Sequence, residues 1–293
     1  MLSVKTKKSE VLFLSLTPLQ YWLVNFISKA IKVKTYVIMH GELGYLNHAE
    51  GRGQKLGAKF IDATLKSKSD VEFIAISSTI FDRISSKYPT RKFSYIEHPL
   101  QDFSGINKIK NDKLTFGSFG IQSKEKNSCQ IYKLAELVEN KFHSRLNLIT
   151  VGVSNGTFDY DLSDNVKHFC KGHIKSSLIE KETFFENVSQ IDVFLLFSQG
   201  GDKYDLVSSG VFADCIAMQK PIIGMRTPML SRCFELYGEI GVLCDSLDDM
   251  KNAIYNICQD EELLKKYAYN LQEIKNDFSF DSYVKKLDGI MNK

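Results

Sequence analysis

Apolar residues in this chain come in short continuous runs of strand length. Between the runs they recur every three or four positions, the spacing of one helix face. "EVLFLSL" (10–16), "KTYVIMH" (34–40), "VEFIAIS" (71–77) and "KFSYIEHPL" (92–100) are of the first kind, the last stopped by Pro99. "PLQYWLVNFISKA" (18–30), with Pro18 in its opening turn, "GQKLGAKFIDATLKSK" (53–68) and "STIFDRISSKY" (78–88) are of the second. Strands that are apolar throughout belong to a parallel sheet covered on both faces, with helices as the crossovers.

The rhythm stops at "QDFSGINKIKNDK" (101–113), which is polar, has no helical period and reads as a linker. It resumes with "LTFGSFG", the helix "SCQIYKLAELVENKF" (128–142), "LNLITVG", the helix "SLIEKETFFENVSQ" (177–190) and "DVFLLFS". A helix opening at Ser208-Ser209-Gly210, the strand "KPIIGM" and a Leu-rich helical tail from Ser246 complete it. The pattern predicts an α/β fold of two tandem Rossmann-like, doubly wound parallel-sheet domains, residues 1–112 and 113–293. A ligand cleft is expected between the carboxyl ends of their strands. The first domain is small: four strands make it thin, so it is either compact or completed by another surface.

Composition narrows the function. No run approaches the ~20 apolar residues of a membrane span. A formal charge of +3 is too small for a nucleic-acid partner. The start "MLSVKTKKSE" is basic but lacks the apolar core of a secretory signal. Cys129, Cys170, Cys215, Cys233, Cys244 and Cys258 are dispersed without a CxxC pair, which reads as reduced thiols of a cytoplasmic protein and gives no metal site.

Candidate chemistry begins at "YDLVSSGVFADCIAMQKPIIG" (204–224). Ser208, Ser209 and Gly210 open a helix whose free N–H groups and positive dipole end suit a phosphate; a plain helix cap is the alternative. Asp214 lies four residues past Gly210 on the same face. A carboxylate there suits a neutral diol such as a ribose, or is a solvent-facing acid. After the second strand, "MHGELGYLNH" (39–48) offers His40 and Glu42, side chains able to take a proton from a hydroxyl or to hold a sugar hydroxyl; a structural His40 is the alternative. "SLTPLQ" (15–20) is a second loop placed to reach an acceptor. "PLQYWLVNFISKAIKVK" reads as a core helix, or as an interfacial one with Tyr21, Trp22, Phe26 and Ile27 on its apolar side.

The ordered set "YDLVSSGVFADCIAMQKPIIG", "TP" and "GEIGVLCDSLDDMKNAIYNI" resembles the donor-binding region of two-domain GT-B glycosyltransferases, in particular the group-1, family-4-like nucleotide-sugar-dependent set. The resemblance covers roughly the last 180 residues. It implies that Asp214 holds the nucleotide ribose, Asp205 the donor sugar as a catalytic acid, and Ser209-Gly210 the diphosphate. Two departures stand out: the acidic pair is Asp205 and Asp214, one position further apart and one methylene shorter than the family's two glutamates, and Gln219 replaces the glycine before Lys-Pro.

"FGSFGIQSKEKN" (116–127) resembles the loop that opens the family's donor domain. Gly120 matches the leading glycine, Glu125-Lys126 the "E-K", and Ile121 stands where an arginine is usual, with Lys124 as a substitute cation. Lys126 would then neutralise the diphosphate as the sugar departs. "HFCKGHIKSSLIE" (168–180) resembles the segment near the base, which implies that His173 or Ile174 flanks it.

The resemblance implies a metal-independent glycosyltransferase without cofactor, retaining if the acidic pair works as in the family. It would take a nucleotide sugar and act on a glycan or lipid-linked acceptor in surface-polysaccharide synthesis. A partner-dependent or non-catalytic nucleotide-sugar-binding subunit and a sugar-nucleotide epimerase are the competing readings. Peripheral membrane contact at the inner face of the cell membrane, a partner chain and a homo-oligomer stay open.

Overall fold

A computed structural model describes residues 10–31, 33–103, 105–107, 109–157, 163–169, 172–176, 179–198 and 204–292. By contact the chain divides into two units: Met1–Pro99, Gly200–Ser209 and Asp277–Lys293 form the first, Leu100–Gln199 and Gly210–Asn276 the second. Each is built on its own parallel sheet.

In the first unit, strands β1 (Glu10–Phe13), β2 (Lys34–Met39), β3 (Glu72–Ile76) and β4 (Phe93–Ile96) lie in sequence order, all parallel. Helices α1 (Pro18–Ile31), α2 (Gly51–Lys66) and α3 (Ser78–Lys87) are the crossovers. Residues of β2 and β3 alternate between two cores. Val37, Met39, Phe73 and Ala75 pack with Tyr21, Ile61 and Ile84 of the helices. Tyr36, Ile38, Ile74 and Ile76 pack on the other side with Ile290. This second face is covered by the C-terminal helix, so the thin domain is completed by the far end of its own chain. The last carbonyl of that helix, at Met291, accepts from Tyr36 Oη (2.9 Å) and Lys34 Nζ (3.1 Å), two side chains of β2. They satisfy an orphan acceptor of the helix end and fasten it to the sheet.

The second unit holds β5 (Leu114–Phe119), α4 (Gln130–Leu137), α5 (Asn140–His143), β6 (Leu146–Val151), β7 (Val166–Phe169), α6 (Lys181–Ser189) and β8 (Val193–Leu196). It continues with α7 (Gly210–Met218), β9 (Ile222–Met225), α8 (Pro228–Tyr237), β10 (Gly241–Cys244), α9 (Leu247–Gln259) and α10 (Glu261–Lys275). After a short 3-10 turn, Asn276–Phe278, the chain returns to the first unit as α11 (Phe280–Met291), the covering helix. Strand order is β10-β9-β8-β5-β6-β7, all parallel. That order reverses direction between β5 and β8, which makes the carboxyl ends of these two strands the switch point. Phe116, Leu148, Val193, Leu195, Ile254 and Ile257 centre the core.

Several local details differ from the pattern reading. The helix expected over 128–142 is two helices, because Val138 turns extended (ψ 122) and Glu139 follows it. The Glu139 N–H instead donates to Tyr255 Oη at 2.8 Å, and Phe142 stacks on the Tyr255 ring. α8 and β10 had no forecast. β10 is an edge strand of four residues whose first, Gly241 (φ +151), passes so close to β9 that a Cβ there would meet the Ile222 carbonyl oxygen at 1.8 Å. The five described cysteines are free thiols; Cys170 lies outside the described residues.

Candidate functional site

The loop after β5 occupies one side of the switch point. Gly120 takes φ +95, a conformation costly for any side chain. A Cβ built on it would stand 3.8 Å from Lys126 Nζ and 3.8 Å from Val211 Cγ2, so the glycine, the lysine and the first turn of α7 adjoin. Gly152, at φ +139 after β6, passes so close that its Cβ would fall 1.9 Å from the Gly120 carbonyl oxygen. The loops after β5, β6 and β7 stay in register beyond the strands through the bridges Gln122–Ser154 and Ser154–His173.

Lys126 is half-buried, and among the described residues its ammonium has neither a hydrogen-bond nor an ion-pair partner. Burial alone pushes its pKa below the ordinary lysine value. Asp214, one turn into α7, is in a matching position. Its carboxylate has no hydrogen-bond or ion-pair partner among the described residues, and burial pushes it up to about 7. A half-buried cation and a half-buried acid with no such partner among the described residues are costly to keep, and groups of this kind cluster where a ligand completes them. Around a Cβ built on Gly210, the first residue of α7, no atom of the described residues lies within 4 Å. Ser208 and Ser209, both half-buried, precede it directly.

The remaining donor-side candidates are placed less pointedly. Lys124 is exposed and uses its backbone N–H on Thr157 Oγ1 at 2.9 Å. His173 Nδ1 accepts from the Lys175 N–H at 3.0 Å, and its Nε2 fills the space beside Gly156, where a Cβ would approach to 2.6 Å. Its ring is thus tied into its own loop.

The other three candidates belong to the first unit. His40 ends β2, and a 3-10 turn, Gly41–Leu46, follows. Glu42 Oε1 accepts from the His40 N–H at 2.8 Å and from the buried Tyr21 hydroxyl. Burial, then the Glu42 charge, raises the Tyr21 pKa well above its ordinary value, so the phenol stays a donor. His40 Nε2 lies 2.7 Å from the Leu14 carbonyl, which can only accept, so Nε2 donates to it. Val207 lies 3.7 Å from a Cβ built on Gly41, so this loop adjoins the segment that carries Asp205. Asp205, in the 3-10 turn Tyr204–Leu206, is ion-paired with Arg83 of α3. An open groove beside the pair is lined by Asn47, Asp82, Arg83, Ser86, Lys87 and Leu206.

His40, Glu42 and Asp205 thus share one unit with Ser208 and Ser209, and Gly120, Lys124, Lys126, His173, Gly210 and Asp214 share the other. Arg83 escaped the sequence reading and Tyr21 entered it only as part of an apolar helix side: each acts on a partner more than twenty residues away, and no local motif marks that role. Among the described residues no three His, Cys, Asp or Glu side chains converge on one point.

No protein-family model matches the chain, and no curated protein matches it. Solved structures do. TarM superposes with a TM-score of 0.63 at 15% identity, over 90% of this chain and 51% of its own. WaaG, a glycosyltransferase involved in lipopolysaccharide biosynthesis, gives 0.61 at 13%, over 92% and 80%. The pneumococcal O-GlcNAc transferase GtfA, solved with UDP and GlcNAc, gives 0.60 at 16%, over 92% and 54%. The chain has the GT-B fold. Two Rossmann-like α/β domains are its architecture. The chain spans about half the length of TarM and GtfA and four-fifths of WaaG.

Proposed function

We propose that this GT-B protein is a glycosyltransferase that moves a sugar from a nucleoside-diphosphate donor to a hydroxyl of a glycan or glycolipid acceptor. The observation that carries the reading is the pair Lys126 and Asp214, with no hydrogen-bond or ion-pair partner among the described residues, beside the first turns of α7 at the switch point of the second sheet. The α7 tip and the Lys126 ammonium suit a diphosphate; both stabilise the negative charge that grows on it as the sugar leaves. Asp214 suits the pentose diol, whose two hydroxyls would supply its missing hydrogen bonds. GtfA, a structural neighbour, was solved with UDP, which fits the same ligand class.

On the first unit, His40 Nδ1 and the Glu42 carboxylate are the groups suited to an acceptor hydroxyl, and the groove beside Arg83–Asp205 suits its glycan. Retention of anomeric configuration and a role in surface polysaccharide follow from the family resemblance and are part of the proposal. The test is turnover of the donor. Incubation with UDP- and GDP-sugars should release the nucleoside diphosphate, slowly to water and faster with a glycan acceptor. Failure to release it from any donor tested, with or without acceptor, refutes the activity; isomerised donor without release assigns an epimerase instead.

A further inference from the structure

Helix α1 is built inside out. The residues it buries in the first unit are Tyr21, Asn25 and Ser28, with the half-buried Val24 packed against the core beside them. Asn25 is satisfied there by Ser67 (2.7 Å), Ser69 (2.5 Å) and Arg91 (3.3 Å). The opposite face carries Leu19, Trp22, Leu23, Phe26 and Ile27, with Phe26 64% and Ile27 50% exposed. Leu56 of α2, 54% exposed, extends the patch, and the Trp22 ring bridges Phe26 and Phe60 at centroid distances of 6.1 and 6.3 Å. A surface helix normally shows solvent its polar side. A contiguous apolar ridge on an exposed helix marks a contact surface.

The charge beside the ridge indicates what covers it. Arg52, Lys55 and Lys59 recur at three- and four-residue spacing along the exposed face of α2, next to the ridge. Lys29 stands in the last turn of α1. α1 has no acid, and the one acid of α2, Asp62, is paired with Lys66 at 2.7 Å. An apolar ridge with an aromatic core and a mainly positive rim, whose acids Glu50 and Asp62 face His48 and Lys66, is complementary to an anionic bilayer. A helix of 14 residues is roughly 21 Å long, short of the hydrocarbon thickness, so it would lie in the interface plane.

We infer that the α1–α2 face docks on an anionic lipid surface, with the α1 ridge in the headgroup layer and the α2 cations on lipid phosphates. The same helix holds Glu42 through Tyr21, so a docked α1 fixes the His40–Glu42 loop relative to the bilayer. Where the glycosyl-transfer reading holds, that suits an acceptor carried by lipid.

Docking is measured without donor or acceptor, so it stands or falls apart from that reading. Trp22 is the chain's one tryptophan and sits on the ridge, so its emission is a built-in probe. Vesicles of phosphatidylcholine with about one-third phosphatidylglycerol should sediment the protein and shift Trp22 emission to the blue; pure phosphatidylcholine should do so weakly. K55A/K59A should bind roughly 30-fold more weakly, two lysines at about a factor of five each. F26D should lose roughly tenfold or more while keeping a native circular-dichroism spectrum, because Phe26 is exposed. An absent blue shift with the anionic vesicles, or native binding by both variants, overturns the inference. So does a concentration-dependent dimer in light scattering that F26D disperses, which gives the face to a second copy of the chain.

Discussion

Replacing Asp214 with asparagine should make the protein more stable above neutral pH. In the folded chain burial holds this carboxyl at about 7, against 3.8 for the free group. The difference, about three units at 1.36 kcal/mol each, withholds about 4 kcal/mol from the folded state once the group is ionised. The sign follows from proton counting. Between the two values the folded chain keeps a proton that the unfolded chain has lost, so stability falls as pH rises from about 4 to about 7 and then levels. Asparagine has nearly the same shape and no charge, so D214N lacks this loss. Glu97 and Asp192 are also raised by burial, but they are common to both proteins and cancel in the difference. Urea titrations followed by circular dichroism at pH 5, 6, 7 and 8 give that difference directly. Variant minus native stability should grow by about 3 kcal/mol between pH 5 and pH 8, most of it below pH 7. A difference that stays constant, or a variant less stable than native at pH 8, would show that Asp214 is not a stranded acid, and the diol-binding role would lose its physical basis.

Two backbone substitutions test other parts of the account. Gln219 closes α7 in a Schellman turn, its N–H on the Ile216 carbonyl and the Lys220 N–H on that of Cys215, both at 3.0 Å. It does so at φ +55, so Gln219→Gly should raise stability by about 0.5–1 kcal/mol in the same titrations. Gly152→Ala should do the reverse: with 1.9 Å from its Cβ to the Gly120 oxygen, the loop after β5 must move, costing roughly 3 kcal/mol or more and weakening nucleotide binding with it.

What was legible in the sequence was local. The strand runs and the Ser-Ser-Gly opening of α7 are written in consecutive residues, and Gln219 marks its αL turn only because the resembling family puts glycine there. What was not legible depends on distant partners. The pattern alone groups Tyr21 with Trp22, Phe26 and Ile27 as one apolar side of α1. The structure separates them, because Arg91, sixty-six residues on, supplies the polar network that lets Asn25 face inward beside Tyr21. The cover of the first sheet was hidden for the same reason: α11 lies at the far end of the chain, and its apolar stripe says nothing of which sheet it will meet. Likewise Asp205 reads as a free acid until Arg83 is placed against it.

The account rests on Asp214 and Lys126 waiting for a nucleotide sugar, and calorimetry of that binding at pH 7 in two buffers of different ionisation heat reads it most directly. A nucleotide-sugar diphosphate does not itself titrate near pH 7, so any proton exchanged comes from the protein. Hydroxyls that bond Asp214 favour its ionised form, so binding should expel about half a proton per site, the fraction protonated when the pKa is about 7. D214N should abolish the buffer dependence, and K126A should weaken binding roughly 10- to 100-fold, as loss of a charged hydrogen bond does. Binding heats that are absent for every UDP- and GDP-sugar, or that are the same in both variants as in the native chain, would contradict it.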